Sequence, residues 1–149
     1  MNRRQKKILT DIITAVVITA IAVMVMIDFK NWVNRSEAMR AMEQLGQVAL
    51  KYRQEYGAIP PESYVQNIKE KLEGNIRLGH FRYRARWIDF DCTDDEILAY
   101  AQKDYRSFLF GHGFIVLRLN GSVEWMGDKD FKKLLAKQQD PLEKETYPR

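Results

Sequence analysis

Residues 3–27 read RRQKKILTDIITAVVITAIAVMVMI. Arg3, Arg4, Lys6 and Lys7 stand directly before a run, Ile8 to Ile27, whose single ionisable side chain is Asp11. At about 1.5 Å of helix rise per residue, such a run covers the ~30 Å hydrocarbon core of a bilayer. A short basic tail without acids favours the cytoplasmic side, so the chain after the span is expected to be exported. The division that follows is a cytoplasmic tail (1–7), a transmembrane helix (8–28) and a water-facing remainder.

A cleaved secretory signal begins in the same way. The apolar run here exceeds the roughly 7–15 residues usual for a signal, and its exit, Met24-Val25-Met26-Ile27-Asp28-Phe29-Lys30, offers no small-x-small cleavage site. The span is therefore expected to be retained. The only cysteine is Cys92, so there is no lipid-bearing cysteine at the exit and no internal disulfide. The exported part must stand on packing alone, with Cys92 expected as a partly buried free thiol.

Charge supports the division. The net charge of +4 is carried in full by residues 3 to 7, which leaves the rest of the chain neutral. Nucleic-acid binding needs a basic face that neutralises phosphates. The excess here serves orientation, and no nucleic-acid partner is expected.

After Ile27 the helical signal continues with a different composition. Val33, Met39, Met42, Leu45, Val48 or Ala49, Tyr52 and Tyr56 recur at three- and four-residue spacings, with charges between them. That is a one-sided apolar stripe with a solvated opposite face. Neither Pro nor a Gly pair interrupts the chain from Ile8 to Tyr56, and Gly46 is the one weak point, costing about 1 kcal/mol relative to Ala. Gly57 is placed to end the helix, with Pro60 and Pro61 beyond it. The amphipathic continuation (29–57) is expected to extend the anchor as one helix ~70 Å long. Asp11 has two readings: an interfacial acid paired with Lys7, or a charge that docks on a neighbouring helix.

The order of basic tail, apolar helix with one early acid and amphipathic continuation ends here in Ala49-Leu50-Lys51-Tyr52-Arg53-Gln54-Glu55-Tyr56-Gly57-Ala58-Ile59-Pro60. This resembles type IV pilins and the major pseudopilins of type II secretion, whose helix ends in a tyrosine-rich turn, Gly and Pro. By that resemblance Asp11 stands where the family has a glutamate near the start of its mature helix. The family's cleavage motif, a Gly followed by Phe, is replaced by Lys6 and Lys7, which implies a pilin-like protein that stays anchored. The resemblance implies a pilin-like α+β fold: a long helix, transmembrane then amphipathic, on a small antiparallel β-sheet with a short C-terminal helix.

Beyond Pro60 an α+β head (58–139) is expected, followed by a polar, frayed tail (140–149). Ser63 to Leu72 reads as a short helix with Tyr64, Val65, Ile68 and Leu72 on one side, ended by Gly74. Phe81, Tyr83, Ala85 and Trp87 alternate with Arg82, Arg84 and Arg86, a period-two strand with one apolar and one basic face. The three arginines are either a site for an anionic ligand or acidic partner, or a solvated face balanced by the acids that follow. Those acids, among them Asp89, Asp91, Asp94 and Asp95, suggest calcium ligands. The EF-hand positions for Gly and the bidentate Glu hold Asp94 and Tyr100 instead; the resemblance adds a calcium site in a loop of this domain. Ile97 to Ala101 reads as a second strand. Phe114–Leu119 and Ser122–Met126 around Asn120-Gly121 read as a hairpin with a type I′ turn. Asp128 is expected to cap a closing helix through Phe131, Leu134 and Leu135.

Asp95-Glu96-Ile97-Leu98-Ala99-Tyr100, then His112-Gly113, then Asn120-Gly121-Ser122-Val123-Glu124-Trp125 resembles the C-terminal end of bacterial pilin-like proteins abundant in planctomycetes. His80 and His112 are the only histidines, and no nucleophile motif, phosphate loop or zinc spacing is present. A non-enzyme without a cofactor is expected. The leading expectation is a structural protein of a bacterial inner membrane with a periplasmic head. It would assemble with like subunits, or with a secretion or pilus machine, through Asp11, Met39, Met42, Leu45 and Tyr52. The rival is a bitopic scaffold whose head binds a protein or anionic glycan through Arg82, Arg84 and Arg86; a third class is a periplasmic ligand sensor.

Overall fold

Nothing between Arg3 and Tyr56 breaks a helix, and α1 (Arg3–Tyr56) runs through all 54 residues, about 80 Å at standard rise. The computed structural model describes residues 2–88, 92–105 and 111–146. At the start the Gln5 side chain accepts the Asn2 N–H at 3.0 Å. At the end the Gly57 N–H returns to the Arg53 carbonyl at 2.9 Å. Two short helices follow, α2 (Glu62–Lys69) and α3 (Asn75–Leu78). Then come β1 (Arg82–Tyr83), a 3₁₀ turn (Ala85–Trp87), β2 (Ile97–Asp104), β3 (His112–Arg118), β4 (Val123–Gly127), α4 (Asp128–Gln138) and α5 (Pro141–Thr146). The strands form an antiparallel sheet in the order β1-β2-β3-β4. The layout is α+β, a long helix packed on a small antiparallel sheet.

Two apolar layers hold the head, one on each face of the sheet. On one face Ala38, Ala41, Met42, Leu45 and Ala49 of α1 meet Leu98, Ala99, Ala101, Ile115, Leu117 and Leu119, with Val65, Leu72 and Leu78 closing the side. A bulge between Ile97 and Ala99 lets Leu98 and Ala99 both face the helix. On the other face Ile97, Tyr100, Phe114 and Val116 pack with Phe131 of α4. Gly46 lies against β3 and the loop after it. A Cβ there would stand 2.8 Å from Leu117 Cδ1 and 3.1 Å from the Gly121 carbonyl oxygen. What reads in sequence as a weak point of the helix is the contact that brings it onto the sheet.

The hairpin forms as expected, but its turn differs. Gly121 has φ 83°, while no residue other than glycine has a positive φ among those described, so the type I′ turn is not adopted. The Gly121 N–H bonds the Arg118 carbonyl at 3.0 Å and the Arg118 N–H bonds the Ser122 carbonyl at 2.9 Å. This is a three-residue loop with a glycine bulge. The longer loop drops Leu119 into the core and lets its N–H reach the Glu96 carbonyl at 2.8 Å.

The strand expected from Phe81 to Trp87 stops at Tyr83. The bulge in β2 ends the ladder there: the Arg84 N–H still reaches the Leu98 carbonyl at 2.8 Å, and the Trp87 N–H then closes on the Arg84 carbonyl at 2.8 Å. The apolar half of the alternation is kept, since Phe81, Tyr83 and Ala85 pack on the α1 layer. The basic half is not, because Arg84 turns inward. At the other end Gly127, not Asp128, is the cap residue of α4; Asp128 accepts from Lys132 at 2.8 Å instead.

Burial also shapes the alkaline behaviour of the head. The Tyr83 hydroxyl donates to the Pro60 carbonyl at 2.8 Å, and burial, followed by the charge of Tyr52, raises its pKa. Burial likewise raises Tyr100, partly offset by Arg82, and Tyr105, partly offset by Arg35. An unfolded chain gives up these protons near pH 10. Above that pH the unfolded state binds fewer protons than the folded one, so stability falls as pH rises. The expected result is that these phenols ionise together with unfolding, as a cooperative step in phenolate absorbance. A gradual titration of all tyrosines with the near-ultraviolet dichroism intact would contradict it.

Candidate functional site

Two parts of α1 have opposite surroundings. From Ile8 to Ile27 every large apolar side chain is exposed, Met26 the most at 71 %. Those residues make no contribution to either core layer. The first buried residue of the helix is Ala38. By length and composition α1 is apolar enough to cross a membrane. Two of the three threonine hydroxyls in this stretch are bonded within the helix: Thr10 donates to the Lys6 carbonyl at 3.0 Å and Thr19 to the Ala15 carbonyl at 2.8 Å. A hydroxyl bonded back to the preceding turn costs little in hydrocarbon. Asp11 is exposed, and among the described residues no ion pair, to Lys7 or to any other cation, engages it.

Where the apolar run ends, Phe29 and Trp32 stand exposed with their ring centroids 6.0 Å apart. Aromatic side chains in this position match the belt that fixes helices at a membrane–water interface. The sequence reading passed over them, although an aromatic pair around Lys30 directly after an apolar run is a legible signal. Farther on, the helix turns its stripe to the head. Met42 and Leu45 are fully buried in its core and Met39 packs at its edge. Tyr52 is half-buried and meets Tyr56 at 4.5 Å and Tyr64 at 4.9 Å. Two of the residues expected to pack against like helices, Met42 and Leu45, are instead occupied by the chain's own sheet.

The arginine site is also rearranged. Arg82 and Arg86 are exposed, Arg86 with its guanidinium 5.9 Å from the Trp87 ring. Arg84 is only 2 % exposed. Its Nε and Nη2 donate to the two carboxylate oxygens of Glu143 at 2.8 and 2.9 Å. Its Nη1 donates to the Ile97 carbonyl at 2.8 Å and its Nη2 to the Gln138 carbonyl at 3.0 Å, with Glu96 at 3.4 Å. Burial alone would lower the guanidinium pKa; Glu143, and then Glu96, more than reverse this and raise it. The three arginines thus form no common surface. Of the tail expected to fray from Asp140, Pro141–Thr146 are instead helical, and Glu143 is as buried as its partner.

Of the expected calcium ligands, Asp89 and Asp91 lie outside the described residues. Asp94 pairs with Arg53 at 3.2 Å and Asp95 with Arg118 at 3.9 Å. Among the described residues no group of three or more His, Cys, Asp or Glu is gathered for a metal. His112 is exposed at the start of β3, its Nδ1 3.1 Å from Asp104 Oδ1, and Cys92 is a half-buried free thiol. No protein-family model, curated protein or solved structure matches the chain.

Proposed function

We propose that this chain is a pilin-like structural protein held by a single span in a bacterial inner membrane, with its N-terminus cytoplasmic and its head periplasmic. One observation carries the reading. A single unbroken helix is bare and apolar over its first half, and over its second half forms one wall of a folded head. The basic residues Arg3, Arg4, Lys6 and Lys7 support the orientation, and Phe29 with Trp32 supports the depth. Because the head uses Met42 and Leu45 itself, contact with like subunits falls to the lipid segment, where Asp11 is an exposed carboxylate that no ion pair among the described residues engages. An unpaired carboxylate in hydrocarbon gains most from a donor on a second helix.

The test is self-association of the full chain in liposomes, read by energy transfer between labelled copies. Asp11→Ala is expected to weaken dimerisation by about 0.6–2 kcal/mol, roughly 3- to 30-fold. A monomer at every lipid ratio would overturn the assembly role. Association unchanged in Asp11→Ala would overturn the part given to that residue.

A further inference from the structure

On the sheet face turned away from α1 the apolar residues are buried, while Gln102 and the β1 residue Arg82 stay exposed. α4 lies against β3 and β4 and stacks Phe131 on Phe114, with centroids 3.8 Å apart and planes at 16°. Between α4 and the β1 edge remains a trench of about 890 Å³. Its floor is aromatic: Tyr100, Phe114 and Phe131 line it, with Tyr100 4.8 Å from Phe131. Its rim is cationic. Arg82 stands on the β1 side, where its charge partly offsets the burial of Tyr100, and Lys132 and Lys144 stand on the α4 and α5 side. The one carboxylate lining it among the described residues, Asp128, is held by Lys132 at 2.8 Å. Lys144 owes its place to the residue before it, since the Arg84–Glu143 pair fixes α5 against the sheet. A buried ion pair thus holds α5, and with it Lys144, beside the trench.

We propose that this trench binds a small diffusible amphipathic anion, a flat aromatic or short acyl body bearing one sulfonate, carboxylate or phosphate group. The volume falls in the range of small-molecule sites, roughly 300–1,000 Å³. Half-buried Phe81 and Leu135, above the buried rings of the floor, offer apolar contact to the body. Lys132, Lys144 and Arg82 offer the anion charge-assisted hydrogen bonds. A neutral or cationic ligand would leave the rim unanswered. The source is the aqueous phase, not the bilayer, because the whole sheet separates the trench from the helix that carries the apolar run. This inference does not depend on whether the chain assembles with like subunits.

The experiment titrates naphthalene-2-sulfonate into the full chain held in phosphatidylcholine nanodiscs, with empty discs as the blank. Saturable one-to-one heat with a dissociation constant on the order of 0.1–1 mM is expected for a probe of this size. The pair Lys132→Glu and Lys144→Glu should weaken binding at least tenfold. Gln102→Trp, which fills the trench from an exposed floor position, should abolish it. The pair Lys129→Glu and Lys133→Glu makes the same charge change outside the trench and should leave binding as it was. Absence of saturable heat with the unmodified chain overturns the proposal. So does equal weakening by the two lysine pairs, equal binding of the uncharged naphthalene-2-sulfonamide, or loss of the heat in discs that contain phosphatidylglycerol, which would make the occupant a lipid.

Discussion

Arg84→Ala lowers the stability of the head by about 3–5 kcal/mol, the range measured when one member of a buried ion pair is removed. The substitution strands the Glu143 carboxylate, which is only 2 % exposed and takes two hydrogen bonds from Arg84. It also removes the donors that serve the Ile97 and Gln138 carbonyls. Against a total of roughly 5–15 kcal/mol for a folded domain, a loss of this size leaves α5 detached or the head unfolded. Arg86→Ala, three-dimensionally an exposed neighbour, is expected to change stability by less than about 0.5 kcal/mol. Urea unfolding of residues 29–149 measures both, since among the described residues none before Ala38 is buried. The double substitution Arg84→Met with Glu143→Leu should recover part of the loss, because no charge is then left unpaired. Equal small effects at Arg84 and Arg86 would return Arg84 to the surface, where period-two reading puts it.

Gly74→Ala is expected to cost about 2–5 kcal/mol, from two separate sources. Gly74 has φ 81°, a conformation that costs a residue with a Cβ roughly 1–2 kcal/mol. The added Cβ would also stand 2.6 Å from the Glu37 carbonyl oxygen of α1, and overpacking of this kind adds about 1–3 kcal/mol. The contact matters because α3 is seated on α1 here. Arg77 Nε lies 3.3 Å from Glu37 Oε2, and the Glu73 N–H donates to Gln44 Oε1 at 3.1 Å. Gly57→Ala separates the two terms. Gly57 has φ 68° but open space around the Cβ position, so it should show the conformational cost alone. Equal urea midpoints for the two variants would show that α3 does not press on the helix.

The parts of this fold that were legible in sequence are those set by neighbours along the chain. The apolar run to Ile27, the stripe through Met42 and Leu45, the stop at Gly57 and the two strands around Asn120-Gly121 all follow local periodicity or turn chemistry. What escaped is set by distant partners. Arg84 reads as one of three equivalent arginines until Glu143, at the far end of the chain, meets it. The same pair holds Pro141–Thr146 as a helix in a stretch whose composition reads as frayed. Gly46 reads as a defect because its reason, Leu117, is on another element. The turn at Gly121 took the longer form because Leu119 had a core to enter. The trench was illegible for the same cause: Arg82, Lys132 and Lys144 share a rim only after the sheet and α5 are in place.

Lipid as the surroundings of the first half of α1 is the claim on which the rest depends. Alkaline carbonate extraction of membranes from cells that make the intact chain tests it most directly. The account predicts that the whole polypeptide stays in the sedimented membranes and is released by detergent alone. Recovery of the intact chain in the carbonate supernatant would contradict it.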